Sequence, residues 1–513
     1  MGASASKEEM APSSTSQATR ALQRLNEKVP APTASSSASA SLHHSADRIH
    51  RIEAEANAAL SSTIAHHNDK ARAQGQVTLS AVKEWSDEAW KLPTARLANM
   101  VLHNADLAAS LHSRQAEVAD QHIFNIRIPD EGRPVANQHS SGRCWLFALT
   151  NCIRLEVIKK FELKEFELSQ SYLHFWDKLE KSGYFLENMI DLIEEPLESR
   201  LVNYLMETPV NDGGRFNKLL TYKLREYTLE LRDLRTETLR RLRQSSSSTL
   251  SEAETNKLII STLRTRKEAQ MAEIYRMLCI AYSEPPHPDR EFTWEYIDKH
   301  GKFHSLRTTP VQFQIEHTGT FTAKGSCSLV HDPRREDGKL ITVSRLGNVF
   351  GMQPVLYVTS TPELMKAAAI RTLKAGIPVF CGSDFGHGVD SASGIMDPML
   401  FGYETAFGIK MGMNKVERID TGESQMTHAT VITGVHLDNK GKPVRWRIEN
   451  SWGPDVGDRG YMVMTDDWFD EWIFQVVIRK EYCRTQDWAL FQRGIVKDET
   501  EVLPPYDPFG ALA

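Results

Sequence analysis

The sequence predicts an α+β protein in two parts, a helical half followed by a β half. Three observations carry this. A polar run, "NQHSSGRC", leads directly into an apolar helical stretch at Cys144. Long, charged, helix-periodic segments fill the chain from there to about residue 282. From about residue 340 the pattern changes to short strands of β-branched and aromatic residues, separated by glycines and charged turns.

Residues 1–76 are rich in Ser, Ala and Thr, with "PAPTASSSASASLHH" at the centre. Large apolar residues are sparse there, so a disordered extension is expected, with short helical patches at "TRALQRLNEKV" and "ADRIHRIEAEANAAL". Order is expected from about Val77. A helix should run from Cys144 to about Phe161, and others over 169–182, 187–208 and 214–243. The serines of "SSSSTLSEAETNKL" read as a loop before a helix of about 250–282. The region of about 215–300 reads as a helical insertion, and about 484–513 as a C-terminal arm. The expected strands are "VLYVTS", "PVFCGS", "HATVITGVHL", "VRWRIEN", "GYMVMT" and "IFQVVIRK", in an antiparallel sheet.

Composition narrows the function classes. The chain has 513 residues, which suggests one large domain with additions, or two to three domains, and its 25% charged and 41% hydrophobic residues are ordinary for a soluble protein. No run of about 18 apolar residues is present, so no membrane-spanning helix is expected. No n-region and h-region pair opens the chain, so a secretory signal is not expected. A formal net charge of −6 argues against general nucleic-acid affinity. "TLRRLRQSSSS" and "STLRTRK" could still line a basic channel, but interleaved Glu and Asp favour a solvated face of mixed charge. Cys144, Cys152, Cys279, Cys327, Cys381 and Cys483 are scattered, which reads as reduced and intracellular.

At the start of a helix, unpaired backbone N–H groups and the helix dipole favour an anion, so a thiol at position 144 is pushed toward thiolate. "MTHATVITGVHLD" places His428 at the start of an apolar strand, and "RIENSWG" places Asn450 at the end of the next. Thiol, imidazole and amide together make a nucleophile, a proton carrier and a group that fixes the imidazole tautomer. Gln138 could add a side-chain N–H to an oxyanion hole, beside the backbone N–H of Cys144. His387, in "DFGHGVD", and His436, eight residues past His428, compete for the role of base and rank below it.

"QHSSGRCWLF", "HATVITGV" and "ENSWG" followed by "GY" resemble the papain-like cysteine peptidases. The resemblance implies that fold, with Cys144, His428, Asn450 and Gln138 in the catalytic and oxyanion roles. It also implies Trp452 as the shield of the Asn–His bond. Gly213 and Gly214 of "VNDGG" become candidates for substrate-backbone binding, against the alternative of an Asp-Gly turn. Ser141 stands where secreted members carry a disulfide cysteine, which agrees with a reducing compartment. His428 lies 428 − 144 = 284 residues after the cysteine, a far longer spacing than papain's.

That spacing, "PVNDGG" and the terminal "DPFGALA" are similar to the bleomycin hydrolase branch, over about residues 77–513. Its members are cytoplasmic cysteine aminopeptidases that assemble as homohexamers. Peptides and small amides such as bleomycin-like compounds are then the implied substrates, with no metal and no cofactor. A nucleic-acid-binding hexamer with secondary peptidase activity is the alternative. The resemblance further implies that the tail lies in its own cleft, where the carboxylate of Ala513 meets the substrate's α-ammonium. "MGASAS" also fits N-myristoylation at Gly2, which would give only weak membrane contact. Glu8 and Glu9 speak against a mitochondrial transit peptide, although a mitochondrial pool is compatible with the rest.

Overall fold

The computed structural model describes residues 79–207, 209–210, 214–244, 251–319 and 321–510. Gly2, the expected disordered extension and its helical patches, Gly213 and Ala513 lie outside the described residues. The chain divides into two compact units, residues 1–91 and 92–513. The described part of the first holds the helix Leu79–Ala89. The rest of this section concerns the second.

Its helical half contains α1 (Cys144–Phe161), α2 (Gln170–Asp191), α3 (Arg200–Glu207), α4 (Arg215–Gln244) and α5 (Glu252–Tyr282). α1 follows Gly142, at φ 64°, and ends on Glu162 in the left-handed region, with Lys159 and Lys160 facing the negative end of the helix dipole. α2 starts at an Ser169 cap and is one helix where the sequence suggested a break near residues 183–186. Gly183 sits within it, beside α5. A Cβ on Gly183 would meet the Met271 methyl at 3.5 Å, an ordinary contact, so the glycine neither crowds the neighbouring helix nor ends its own. α5 begins at a full capping box formed by Ser251 and Glu254. Leu186, Leu224, Leu263 and Leu278 are among the side chains of one core shared by α2, α4 and α5.

The expected helical span to about residue 300 stops at Tyr282. A hairpin not anticipated from the sequence follows, β1 (Phe292–Ile297) with β2 (Phe303–Thr308), with Tyr296 stacked on its cross-strand partner His304. Such hairpins are hard to read because cross-strand pairs, rather than period, hold them.

The β half is a twelve-stranded sheet among the described residues. Its named strands are β3 (Ser326–Val330), β4 (Leu340–Val343), β5 (Leu356–Thr359), β6 (Val379–Ser383), β7 (His428–Leu437), β8 (Pro443–Glu449), β9 (Tyr461–Thr465), β10 (Ile473–Arg479) and β11 (Glu501–Leu503). They run in the order β11-β4-β5-β3-β10-β6-β7-β8-β9. Two two-residue strands, 395–396 and 389–390, continue it past β9, and 126–127 pairs with β7. Pairing is mostly antiparallel, as the alternation and turns suggested. Three contacts are parallel instead, among them β11 with β4, because each joins segments far apart in the chain. Two further helices, α6 (Pro362–Lys374) and α7 (Asp466–Trp472), cover the sheet around Trp446, Met462 and Trp468.

The two halves meet where α1 lies on β7, with Cys144, Ala148 and Cys152 against Ala429 and Val431. A buried ion pair pins this junction. Arg154 of α1, fully buried, reaches Glu449 at the end of β8 at 2.5 Å and donates to the Pro134 carbonyl at 2.7 Å. Burial pushes the Glu449 carboxyl up to about 7, against the downward pull of Arg154. Losing the arginine should therefore cost most when Glu449 is ionised. Arg154→Leu is expected to lower stability by about 3–5 kcal/mol near pH 8, and by less near pH 5, where Glu449 holds a proton. Urea titrations at the two pH values check this, and equal losses would show that the pairing is not what stabilises the junction. No helix among the described residues is long and apolar enough to cross a membrane.

Candidate active site

The start of α1 presents Cys144 to the sheet. No side chain caps this helix; Arg143 occupies the cap position without a side-chain bond. Cys144 is 6% exposed. Burial pushes its thiol above the ordinary value, and backbone hydrogen bonding from Ala429, Trp145 and its own amide offsets only part of this. Desolvation thus opposes the thiolate that the helix start favours.

His428 opens β7, one residue before Ala429. Its Nε2 meets Asn450 Oδ1 at 2.9 Å. Burial pushes the imidazole down to about 4, against the upward pull of that bond. Asn450 is wholly buried at the end of β8; its Oδ1 also accepts the Ser451 N–H at 2.8 Å, and its Nδ2 points to the Met462 sulfur at 3.5 Å. Since Asn450 offers an oxygen, the histidine proton belongs on Nε2, leaving Nδ1 to accept another. Trp452 packs against His428, ring centroids 5.3 Å apart. His387 and His436 have other partners. His387 pairs with Asp384 at 3.0 Å, and His436 lies at the far end of β7 opposite Arg445.

Gln138 is brought to the site by a zipper between two loops. Its N–H donates to the Ser451 carbonyl at 2.7 Å, Gly453 N–H donates to Ala136, and Asn137 bridges Trp452. The Ser451 hydroxyl donates to Gln138 Oε1 at 2.5 Å. With its oxygen so occupied, Gln138 has its amide N–H₂ left to donate, as an oxyanion needs. Ser141 accepts from Arg143 at 2.9 Å and donates to the Gln138 carbonyl at 2.5 Å, holding the loop by hydrogen bonds at the disulfide position. All six cysteines are free thiols.

Of the proposed substrate-binding glycines, Gly214 is described, at the turn into α4. Val210, the last described residue before it, accepts from buried Lys178 at 2.7 Å. The C-terminal arm is anchored as far as Gly510. β11 joins the sheet edge, Asp507 pairs with Arg334 at 3.1 Å, and Phe509 is buried against Phe474. Gly510 lines a cavity of about 70 Å³ with Lys181, Asn188 and Arg345. Lys181 also lies over the ring of Trp145, the neighbour of Cys144, at 5.6 Å.

Sequence reasoning missed Ser451, although it stands inside "ENSWG". It also missed Arg154 and Glu449, and Phe385, whose ring lies 4.6 Å from His428. No local signal marks Phe385, since only strand pairing brings it there.

The model of the Peptidase C1-like family matches residues 76–510. The chain is 38% identical over 463 residues to "Cysteine proteinase 1, mitochondrial" of Saccharomyces cerevisiae (strain JAY291), covering 86% of this chain and 94% of the relative. It is 37% identical over 460 residues to bleomycin hydrolase of Rattus norvegicus and 35% identical to that of Homo sapiens, in each case over 82% of this chain and 95% of the relative. The crystal structure of PepW from Lactobacillus rhamnosis HN001 superposes with a TM-score of 0.77 at 34% identity, covering 86% of this chain and all of that one.

Proposed function

The chain belongs to the Peptidase C1-like family and is a cysteine peptidase, and on that basis we propose that it acts as an aminopeptidase on peptides and on small amides such as bleomycin-like compounds. The observation that carries the proposal is the His428–Asn450 bond. His428 is next in the chain to Ala429, which packs on Cys144, and the bond leaves the other imidazole nitrogen to serve the Cys144 thiol.

The chemistry then runs in two halves. The Cys144 proton passes to His428, and the sulfur attacks the scissile carbonyl carbon. The carbonyl oxygen becomes an oxyanion held by Gln138 and the Cys144 N–H. Collapse expels the amine, which takes the proton from His428, and leaves an acyl-enzyme. Water, deprotonated by His428, attacks that thioester; the acid leaves and the thiol is restored. Burial penalises each charged partner alone, but proton transfer makes two opposite charges together, and their attraction offsets both costs.

Gly213 and Gly214 are the proposed rests for the substrate backbone, Trp452 the shield of the His428–Asn450 bond, and Ala513 the partner of the substrate amine. Gly2 remains a candidate for acylation, which intact mass reads directly. Assembly as a homohexamer is part of the proposal. Leu97, Met100, Met399 and Met411 are all more than half exposed, which suits burial between copies. The proposed location is cytoplasmic with a mitochondrial pool, testable by fractionation. The nucleic-acid reading is not favoured. Arg240 and Arg241 pair with Glu237, Arg266 with Glu230, and Arg264 and Lys267 with Glu187, so these basic residues are matched by carboxylates.

A fluorogenic single-amino-acid amide, beside the same amide with its amine acetylated, tests the proposal, together with sedimentation of the same preparation. Cleavage of the free amine alone, by a species of six copies, is expected. Equal cleavage of both amides would reject the aminopeptidase reading.

A further inference from the structure

His387, a rival for the base in the sequence, is part of a structure beside the catalytic histidine that the peptidase chemistry does not use. β6 ends at Ser383, the register partner of His428, and the Ser383 carbonyl accepts the Thr427 N–H at 2.9 Å. The chain then leaves the sheet as Asp384-Phe385-Gly386-His387-Gly388. Gly388 makes the turn at φ 59°, where a Cβ would lie 2.3 Å from the Asp397 carbonyl.

Asp384 is 4% exposed and gathers the surroundings of His428. Its Oδ2 accepts from Ser424 Oγ at 2.8 Å and from His387 Nε2 at 3.0 Å, and its Oδ1 accepts from Thr427 Oγ1 at 3.3 Å. Its N–H donates to the Trp472 carbonyl at 3.0 Å. Burial pushes this carboxyl up, but the bonds from His387 and Ser424 outweigh it and hold it below its usual value. Three donors thus converge on an ionised group. His387 is fixed in turn, stacked on Trp472 at 4.0 Å with planes 5° apart, while its carbonyl accepts from Trp468 at 2.7 Å.

Phe385 is the output of this assembly. Its N–H donates to Thr427 Oγ1 at 3.1 Å, the same hydroxyl that donates to Asp384. Its ring meets His428 at 4.6 Å and Trp452 at 5.2 Å, so three rings are in mutual contact around the imidazole. We propose that Asp384 and Phe385 are positioning residues for His428, with the Asp384–His387 pair bracing the Phe385 ring against the imidazole. The imidazole must gain and lose a proton twice per turnover without leaving its line to the thiol, and a packed ring limits that swing. The inference rests on His428 being the proton carrier.

The test uses the full chain, with kcat and KM expressed per site titrated by an irreversible thiol reagent. Asp384→Asn keeps the shape but leaves one acceptor oxygen for three donors. Phe385→Leu removes the ring and leaves the carboxylate alone. Each is expected to lower kcat roughly 10- to 100-fold with KM within about twofold. Phe385→Tyr, which keeps the ring, should recover most of the loss. If Asp384→Asn and Phe385→Leu melt earlier but keep their kcat, the brace is only structural and the proposal is overturned. If Asp384→Asn fails to fold, Phe385→Leu and Phe385→Tyr decide alone. His428→Ala separates the two readings, because activity surviving in it would reject His428 itself, whereas its loss beside a fully active Phe385→Leu rejects only the brace.

Discussion

Cys144→Ala is expected to abolish amide hydrolysis, by on the order of 10⁶-fold if the nucleophile and its base act as a unit. The same substitution should change His428. Without a thiolate partner, the imidazole is left with the penalty of burial, which sets its folded value at about 4. The unfolded chain binds that proton near the ordinary 6.5. Between those values the unfolded state holds more protons than the folded one, so stability falls as the pH falls. The contribution is complete above about pH 6.5 and is lost as the pH drops through about 4, amounting to about 3 kcal/mol. In the native enzyme the thiolate–imidazolium pair should hold His428 protonated well above that range. Imidazole proton resonances, followed with pH in both proteins, read the difference directly. If His428 titrates alike with and without Cys144, the two groups are not coupled and the proposed proton transfer fails.

Removing residues 511–513 should turn an exopeptidase toward an endopeptidase. The residues before them are fixed: Asp507 by Arg334, Phe509 by Phe474, and Gly510 by the Asp507 carbonyl at 2.7 Å. Gly510 also shares its cavity with Lys181, which lies over Trp145 beside Cys144. The described arm thus ends on a fixed anchor, and ordering the three residues beyond it costs roughly 3–6 kcal/mol of backbone entropy, which their own packing must offset. A charge-assisted bond between the Ala513 carboxylate and a substrate ammonium is worth roughly 1.5–3 kcal/mol, or about 10- to 150-fold in preference for free amines. The truncated enzyme should lose that preference and cut acetylated peptides internally. Intact mass establishes that Ala513 ends the protein compared. Retention of the full preference, with blocked peptides still spared, would remove the tail from specificity.

The sequence by itself determined which residues are proposed to bear the chemistry and which elements they stand on. Cys144, His428 and Asn450 each stand at an element boundary inside a short motif, and local pattern is what a sequence states most directly. The α+β division, the α1 helix and most C-terminal strands follow from the same local signals. Only the tertiary structure decided what surrounds those residues. The α2 helix runs on through Gly183 beside Met271, and the β1–β2 hairpin has cross-strand stacking, Tyr296 on His304, that the period of one strand does not register. Ser451 leaves Gln138 with a free N–H₂ to donate, Glu449 meets Arg154, and Phe385 meets His428 through contacts that span tens to hundreds of residues. The helix dipole at Cys144 is a local property and is visible in the sequence. The desolvation that opposes it is not, because burial is set by strand order and register, which depend on the whole sheet closing over the thiol.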